Sequence, residues 1–266
     1  MPLGGVVLLL AWALASGAAP SSASGAAASP PDARGAPPAH HGESGAAGDD
    51  APHRHGHTEH PGHAPARDDD ATMRHRFDDV QRWVARFDDP ERATWQRPAE
   101  LVAWLGVAPG QVVADIGAGT GYFNAHWARA VGPDGAVLAV DVEPAMVAYM
   151  RDRARREATP NVVPILGSPD NPRLPPRSVD WIVLVDTYHH IDARRDYFRR
   201  LHRAARPGAR LVVVDFVPGP LPVGPPPGHK IAPDRVQAEL TAAGWALERR
   251  WDGLPYQYVL VFRQGD

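Results

Sequence analysis

Three glycines within five positions are the strongest chemical signal in the sequence. Gly117, Gly119 and Gly121 alternate directly after an apolar segment that ends in Asp115 and Ile116. Because glycine lacks a Cβ, the backbone of such a turn can approach a bound ligand closely. We therefore expect the turn to follow a buried strand and to bind its ligand at the carboxyl end of a sheet.

The spacing of this segment distinguishes between two kinds of ligand. Dinucleotide sites require G-x-G-x-x-G, whereas this sequence has G-x-G-x-G, with Tyr122 where the third glycine would stand. Asp115 would repel a pyrophosphate but suits a ligand that carries an ammonium group. Asp141 lies 20 residues after Gly121, at the end of the next apolar run. A carboxylate there can accept hydrogen bonds from two ribose hydroxyls.

A second cluster of polar side chains follows a later apolar run. Asp186, Tyr188, His189 and His190 lie within five positions. Imidazole has an ordinary pKa near 6.5, so either histidine can accept a proton near neutral pH. Adjacent side chains leave a strand in different directions, and we expect one histidine at most to face a ligand. Two roles remain open for the pair: proton transfer, or packing and ligand orientation.

A proline-rich stretch at residues 218–230 ends in His229 and Lys230. Proline restricts the backbone to extended conformations, so the stretch can form a stiff lid over the same edge of the sheet. Its two basic side chains would then bind an anionic ligand. The alternative is a plain connector between two elements.

The elements that position these residues alternate along the chain. Apolar β-branched runs predict strands, and apolar residues at three- and four-residue spacing predict helices. The predicted strands are residues 111–116, 136–141, 161–166, 179–185, 209–216, 245–251 and 256–262. The predicted helices are residues 77–87, 90–105, 120–131, 144–157, 194–205 and 233–243. This alternation predicts an α/β fold with a mostly parallel sheet, helices on both faces and an antiparallel pair at the C-terminal edge.

Composition excludes several classes of function. The net charge of −3 and the pI near 6.5 argue against a general nucleic-acid binder, which needs an excess of cations. The absence of cysteine excludes disulfides, thiolate metal sites and a cysteine nucleophile.

The first 72 residues differ in composition from the remainder, and Gly, Pro, Ala and Ser fill 42 of the first 70 positions. We interpret residues 1–25 as a signal peptide, because a short apolar run is followed by small residues. We interpret residues 26–72 as a disordered linker and residues 73–266 as the folded domain. Seven histidines in the linker permit a second interpretation, weak metal binding. They are His40, His41, His53, His55, His57, His60 and His63.

From about residue 80 to residue 263 the sequence resembles the class I S-adenosylmethionine-dependent methyltransferases, in the group that includes quinone and arsenite enzymes. The matching segments are VVADIGAGTGYF, VLAVDVEP and LPPRSVDWIVLVDTYHHI. The resemblance implies a Rossmann-like, seven-stranded sheet and S-adenosylmethionine as the cofactor. It also implies cofactor contacts for a set of residues at the carboxyl edge: Asp115, Gly117, Gly119, Gly121, Asp141, Val142, Ser168, Asp170 and Asp186.

The same resemblance places the methyl acceptor near the end of the fourth strand. Asp186, His189 and His190 are then the candidate catalytic residues, and Tyr188, His229 and Lys230 the candidate acceptor contacts. The Asp/Asn-Pro-Pro-aromatic signature of amino-group methylases that act on nucleic acids is missing. We therefore expect a small-molecule acceptor, no nucleic-acid partner and no metal in the site.

Two hypotheses of different class follow. The first is a methyltransferase that acts on an unidentified small molecule. The second is a non-catalytic protein of the cell envelope that uses the same fold to bind a cofactor or handle a metal. The signal-like N-terminus favours export, whereas the cytoplasmic supply of S-adenosylmethionine favours the cytoplasm.

Overall fold

The computed structural model describes residues 80–265. The predicted signal peptide, the histidine-rich linker and the start of the first predicted helix lie outside the described residues. Within residues 80–265, no helix has the length and apolar character that crossing a membrane requires.

Seven helices and seven strands make up the described part of the chain. The helices are α1 Val80–Phe87, α2 Arg92–Gln96, α3 Pro98–Leu105, α4 Asn124–Val131, α5 Pro144–Arg156, α6 Arg194–Ala204 and α7 Pro233–Ala242. The strands are β1 Val112–Ile116, β2 Ala136–Asp141, β3 Val162–Leu166, β4 Val179–Val185, β5 Ala205–Phe216, β6 Trp245–Trp251 and β7 Gln257–Gln264. Short 3₁₀ turns occupy Tyr188–His190 and Pro227–His229.

All seven strands form one sheet in the order β3-β2-β1-β4-β5-β7-β6. Strands β1 to β5 run parallel, and β7 runs antiparallel to both of its neighbours. The predicted fold class is confirmed, and the structure adds that β7 lies between β5 and β6. The strand order reverses between β1 and β4, so the ends of these two strands form the switch point at which such sheets bind ligands.

The core lies on both faces of the sheet, because successive side chains of a buried strand point to opposite sides. On β5, Leu211 and Val213 pack with the side chains of α6 and α7. Val212 and Val214 pack on the other face with residues of α3 and α4. This packing stabilises the sheet, and its carboxyl edge carries the polar residues.

Two predicted helices differ from the structure, and β5 begins at Ala205, four residues before its predicted start. The single helix predicted over residues 90–105 is wrong: Arg97 adopts a left-handed backbone with φ of 45° and separates α2 from α3. Pro98 explains the break, because proline disfavours a helical conformation in the preceding residue. The helix predicted from residue 120 begins instead at Asn124, since the glycine turn continues through Gly121, whose φ is 79°.

Candidate active site

The glycine turn connects β1 to α4 and lies against the end of β4. The N–H groups of Gly117 and Ala118 donate to the carbonyl of Val140 at 2.8 and 2.9 Å, which fixes the turn to β2. Gly117 has a φ of 72°, and a Cβ added there would lie 2.3 Å from Cγ2 of Thr187. Gly119 is also left-handed, with a φ of 58°. Only glycine fits the first position, and Gly117 and Gly119 are half-buried at the carboxyl edge.

Asp141 ends β2 beside this turn. Its Oδ2 accepts the N–H of Gly119 at 2.8 Å, and its Oδ1 accepts the N–H of Glu143 at 2.9 Å. Burial raises the pKa of Asp141 even though both hydrogen bonds favour the ionised form. Each carboxylate oxygen keeps a second lone pair, so the group can accept two further hydroxyl donors. Val142 follows directly and is 45% exposed, which leaves an apolar surface beside the carboxylate.

Asp115 lies inside the sheet, one residue before the end of β1. The indole N–H of Trp127 on α4 donates to its Oδ2 at 3.1 Å. Burial raises the pKa of Asp115 to about 7, and the hydrogen bond from Trp127 only partly opposes this effect. The carboxyl group is therefore near its titration point at neutral pH, and a cation beside it would favour its ionised form.

Asp186 follows β4 and adopts a left-handed backbone with φ of 57°. Its Oδ2 accepts hydrogen bonds from Gln96 Nε2 at 2.9 Å and from Arg92 Nη2 at 3.3 Å. Its Oδ1 accepts a hydrogen bond from Gln257 Nε2. Burial raises the pKa of Asp186 to about 6, although the Arg92 guanidinium opposes the shift. Residues from the two ends of the described chain thus meet on one carboxylate.

Arg92 is a candidate site residue that the sequence alone did not indicate. Its guanidinium lies 4.3 Å from the centre of the Tyr122 ring and donates to the carbonyl of Phe87 at 2.8 Å. Burial lowers the pKa of Arg92, and the nearby carboxylates of Asp186, Asp88 and Asp115 oppose this shift. With 28 basic residues in the chain, nothing in the sequence singled out this one. Its partner Asp186 lies 94 positions away.

The segment from α1 to α2 covers the glycine turn. Asp88 accepts a hydrogen bond from Thr120 Oγ1 at 2.8 Å and forms an ion pair with Arg153 of α5 at 2.9 Å. A Cβ on Gly119 would lie 3.5 Å from the ring of Phe87, so this ring packs on the turn. The first helices are therefore fixed to the edge of the sheet at which Asp115 and Asp141 lie.

Three aromatic rings pack together, and two of them stand next in sequence to residues that bind Asp186. The Trp95 ring lies 5.9 Å from that of Phe216 and 6.2 Å from that of Tyr256. Trp95 and Tyr256 are sequence neighbours of the glutamines that bind Asp186, and both are half-buried. We call these three residues the aromatic wall. The proline-rich segment packs on it, because a Cβ added to Gly224 would lie 2.6 Å from the Phe216 ring.

The 3₁₀ turn after Asp186 separates the three side chains that the sequence placed together. Tyr188 is fully buried, and its hydroxyl donates to Glu239 Oε2 of α7 at 2.6 Å. His189 is 2% exposed, with Nδ1 3.0 Å from both carboxylate oxygens of Asp215. The ring of His190 lies 4.2 Å from that of His189 and is half-buried. Tyr188 thus points into the core beneath α7.

The remaining predicted residues lie on turns around the site. Ser168 Oγ donates to Asp170 Oδ1 at 2.8 Å, and the Asp170 carboxylate is exposed. Lys230 is 8% exposed and donates from Nζ to the carbonyl of Gly219 at 2.6 Å, which joins the two ends of the proline-rich segment. Nδ1 of the half-buried His229 has no hydrogen-bond partner among residues 80–265. In the same range, no group of three or more His, Asp or Glu side chains could hold a metal ion.

Known proteins resemble this chain over its central part. Residues 113–208 match the family described as a methyltransferase domain. The chain is 34% identical over 124 residues to the demethylmenaquinone methyltransferase of Tropheryma whipplei (strain Twist). This match covers 47% of this chain and 48% of that protein. The chain is also 31% identical over 115 residues to the arsenite methyltransferase of Halobacterium salinarum, and this match covers 43% of this chain and 29% of that protein. The chain thus spans less than half the length of these curated relatives.

A solved structure extends the likeness to most of the fold. The crystal structure of a SAM-dependent methyltransferase from Aquifex aeolicus is 27% identical, with a TM-score of 0.66, and the match covers 69% of this chain and 97% of that one. In sequence and fold this chain is therefore similar to the class I S-adenosylmethionine-dependent methyltransferases. The comparisons support this predicted family and do not support the alternative of a non-catalytic envelope protein.

The described residues of this chain fit S-adenosylmethionine, the cofactor of the similar methyltransferases. S-adenosylmethionine carries a sulfonium and an ammonium group against a single carboxylate, so it is a cation. The carboxyl edge offers three largely buried acids, Asp115, Asp141 and Asp186, and Arg92 lies among them. The left-handed glycine turn completes a cradle for a ligand of this charge and shape. Tyr122 occupies the position of the third dinucleotide glycine and packs on Arg92.

Proposed function

We propose that this chain transfers a methyl group from S-adenosylmethionine to a small-molecule acceptor bound between Asp186 and the aromatic wall. The proposal rests on the features that the structure brings together at the end of β4. There Thr187 packs on the glycine turn, and the largely buried carboxylate of Asp186 binds Gln96, whose sequence neighbour Trp95 belongs to the aromatic wall.

Each part of the cofactor has a candidate partner. Asp141 accepts the ribose hydroxyls, because its two oxygens are fixed by backbone N–H groups and keep free lone pairs. Val142 offers its exposed apolar surface to the adenine. Asp115 binds the ammonium group and Arg92 binds the carboxylate, in line with their opposite charges. The turn that carries Ser168 and Asp170 lies at the end of β3, where it can reach the adenine edge.

S-adenosylmethionine supplies an electrophilic methyl carbon and leaves as a neutral thioether. The protein has to hold an acceptor in line with that carbon and keep water away. The aromatic wall suits a flat or apolar acceptor, since aromatic faces stack on such groups at low entropic cost. Residues 218–230 cover the wall from the side of Gly224.

The names of the relatives suggest two kinds of acceptor, a quinone precursor and arsenite. Arsenite is a thiophilic species for which thiolates are the preferred ligands, and this chain has no cysteine. The aromatic wall and the missing thiols together favour an organic acceptor. Since the Asp/Asn-Pro-Pro-aromatic signature is also missing, we do not expect nucleic acid to be methylated.

Calorimetry with the full chain tests cofactor binding. We expect S-adenosylmethionine and S-adenosylhomocysteine to bind with micromolar affinity and NAD to give no heat. Asp141→Asn should weaken binding by roughly 1.5–3 kcal/mol, because it removes a charged acceptor of hydroxyl hydrogen bonds. Asp134→Asn is the matched control, since Asp134 is exposed at the opposite edge of the sheet.

A tritium assay tests the acceptor class. The full chain and methyl-labelled S-adenosylmethionine are incubated with catechol, hydroquinone, 2-methylhydroquinone and an organic extract of the native cells, and separately with tRNA and DNA. Label in the organic phase supports the proposal. Label in nucleic acid, or cofactor binding without label in any organic fraction, would overturn the small-molecule assignment.

A further inference from the structure

His189 and Asp215 form a buried pair that the proposed function leaves unused. Asp215, near the end of β5, is fully buried, and His189 is 2% exposed. Both Asp215 oxygens lie 3.0 Å from Nδ1 of the imidazole. The backbone N–H of Phe216 donates to Asp215 Oδ1 at 2.8 Å. The carboxylate is therefore held in place on the strand, and it holds the ring.

This contact fixes the position of the imidazole proton. An ionised carboxylate only accepts hydrogen bonds, so Nδ1 must carry the hydrogen. In the neutral ring Nε2 then presents a lone pair. The same arrangement orients histidine bases in enzymes of unrelated folds, where the carboxylate stabilises the imidazolium after proton transfer.

The charged groups around His189 come from three elements. Asp215 of β5 and Asp186 after β4 favour the imidazolium, whereas Arg194 of α6 opposes it, and the ring of His190 lies 4.2 Å away. Although burial disfavours the charged ring, the two acids prevail and raise the pKa of His189. Tyr258 of β7 also faces Asp215, and burial together with that carboxylate keeps its hydroxyl protonated by raising its pKa.

We propose that His189 is the general base of the methyl transfer and that Asp215 is the residue that positions it. The inference rests on the proposed function and adds the class of acceptor, a hydroxyl compound of phenol or hydroquinone type. The acceptor O–H bond breaks and its proton moves to Nε2. The oxygen electron pair forms the new O–CH₃ bond while the C–S bond breaks and its electrons stay on sulfur. The imidazolium then returns the proton to solvent.

Nitrogen NMR of the full chain tests the tautomer without an acceptor. The sample carries ¹⁵N-labelled histidine and bound S-adenosylhomocysteine, and His189→Gln assigns the signals. We expect hydrogen on Nδ1 and a lone pair on Nε2 at pH 8. A ring with hydrogen on Nε2, or a ring that stays doubly protonated from pH 6 to pH 9, would refute the role of a base.

Substitution of Asp215 tests the positioning role. Asp215→Asn presents an amide that can donate to Nδ1, so the tautomer should reverse or become mixed and the imidazole pKa should fall. Asp215→Glu should restore the native tautomer at least in part, a rescue that a purely structural role does not predict. An unchanged tautomer and pKa in Asp215→Asn would show that Asp215 does not position the ring.

Rates with the acceptors of the tritium assay complete the test. His189→Gln should lower kcat by ~10²-fold or more and remove its rise with pH, while the Kd of S-adenosylmethionine stays unchanged. His202→Gln is the control, because His202 packs on Trp245 and contacts the carbonyl of Ala243 away from the site. Full activity in His189→Gln would refute the inference and leave the proposed function intact. Loss of cofactor binding in the wild type would instead contradict the proposed function.

Discussion

Cofactor affinity should depend on pH through Asp115. The carboxyl group is buried at the end of β1 with the Trp127 indole as its hydrogen-bond donor, and its pKa is raised to about 7. A cationic ligand beside it stabilises the carboxylate and lowers this pKa. Binding therefore releases a proton wherever the free protein carries one on Asp115, and affinity should rise as the pH increases from 6 to 8.

The size of the effect follows from the pKa of about 7. Roughly nine tenths of Asp115 side chains are protonated at pH 6, and about one tenth at pH 8. If only the ionised form binds, the Kd at pH 6 is about ten times the Kd at pH 8, a difference of about 1.4 kcal/mol. Asp186, with a pKa of about 6, adds roughly a further twofold at the acid end.

Calorimetry in buffers of different ionisation enthalpy measures both the affinity and the protons released. We expect release of about 0.9 proton at pH 6 from Asp115 and about 0.1 at pH 8. Asp115→Asn should bind weakly at every pH and retain only the small contribution of Asp186. Asp134→Asn should behave as the wild type does. An affinity that is constant between pH 6 and pH 8, or that rises on acidification, would refute the assignment of Asp115 to the ammonium group.

Two further predictions concern stability. Gly117→Ala should lower the free energy of unfolding by about 1–3 kcal/mol and impair cofactor binding, because the added Cβ meets Thr187 and the backbone is left-handed. Gly228→Ala, with no atom within 4 Å of the added carbon, should change stability by less than about 0.5 kcal/mol in the same denaturant titration. Without ligand, the melting temperature should fall as the pH rises from 5 to 7. Asp115, Asp186 and His189 have raised pKa values and bind more protons in the folded protein than in the unfolded chain over this range, whereas His126 and His202, with lowered pKa values, act in the opposite direction. The large shifts of the two acids determine the sign, and Asp115→Asn should flatten the slope.

The sequence predicted the strands and their carboxyl edge because each buried strand is a short apolar run with a distinct end. Strands β2, β4 and β6 have the predicted bounds. Asp115 and Asp141 were predicted as site residues for the same reason, since they stand at the ends of such runs, and the structure places both at the carboxyl edge. The break at Arg97 was missed, although Pro98 was a local signal for it.

The residues that reach the site from distant parts of the chain were not predictable. Arg92 and Gln257 contact Asp186 across 94 and 71 positions, and no local pattern encodes such contacts. Asp215 was overlooked because an acid in an apolar strand identifies its partner only once β4 and β5 are paired. The direction of Tyr188 depends on the 3₁₀ turn, which the sequence analysis did not predict.

The position of β7 between β5 and β6 has a consequence for synthesis on the ribosome. Until β7 emerges, β5 has an open edge, and β6 has no strand to pair with. Gln257, the first residue of β7, also joins Gln96 across 161 positions. Such non-local contacts slow folding and delay it until β7 has been synthesised. A nascent chain that stops before Gln257 would thus expose an unpaired strand and lack part of its candidate site, so both depend on the synthesis of β7.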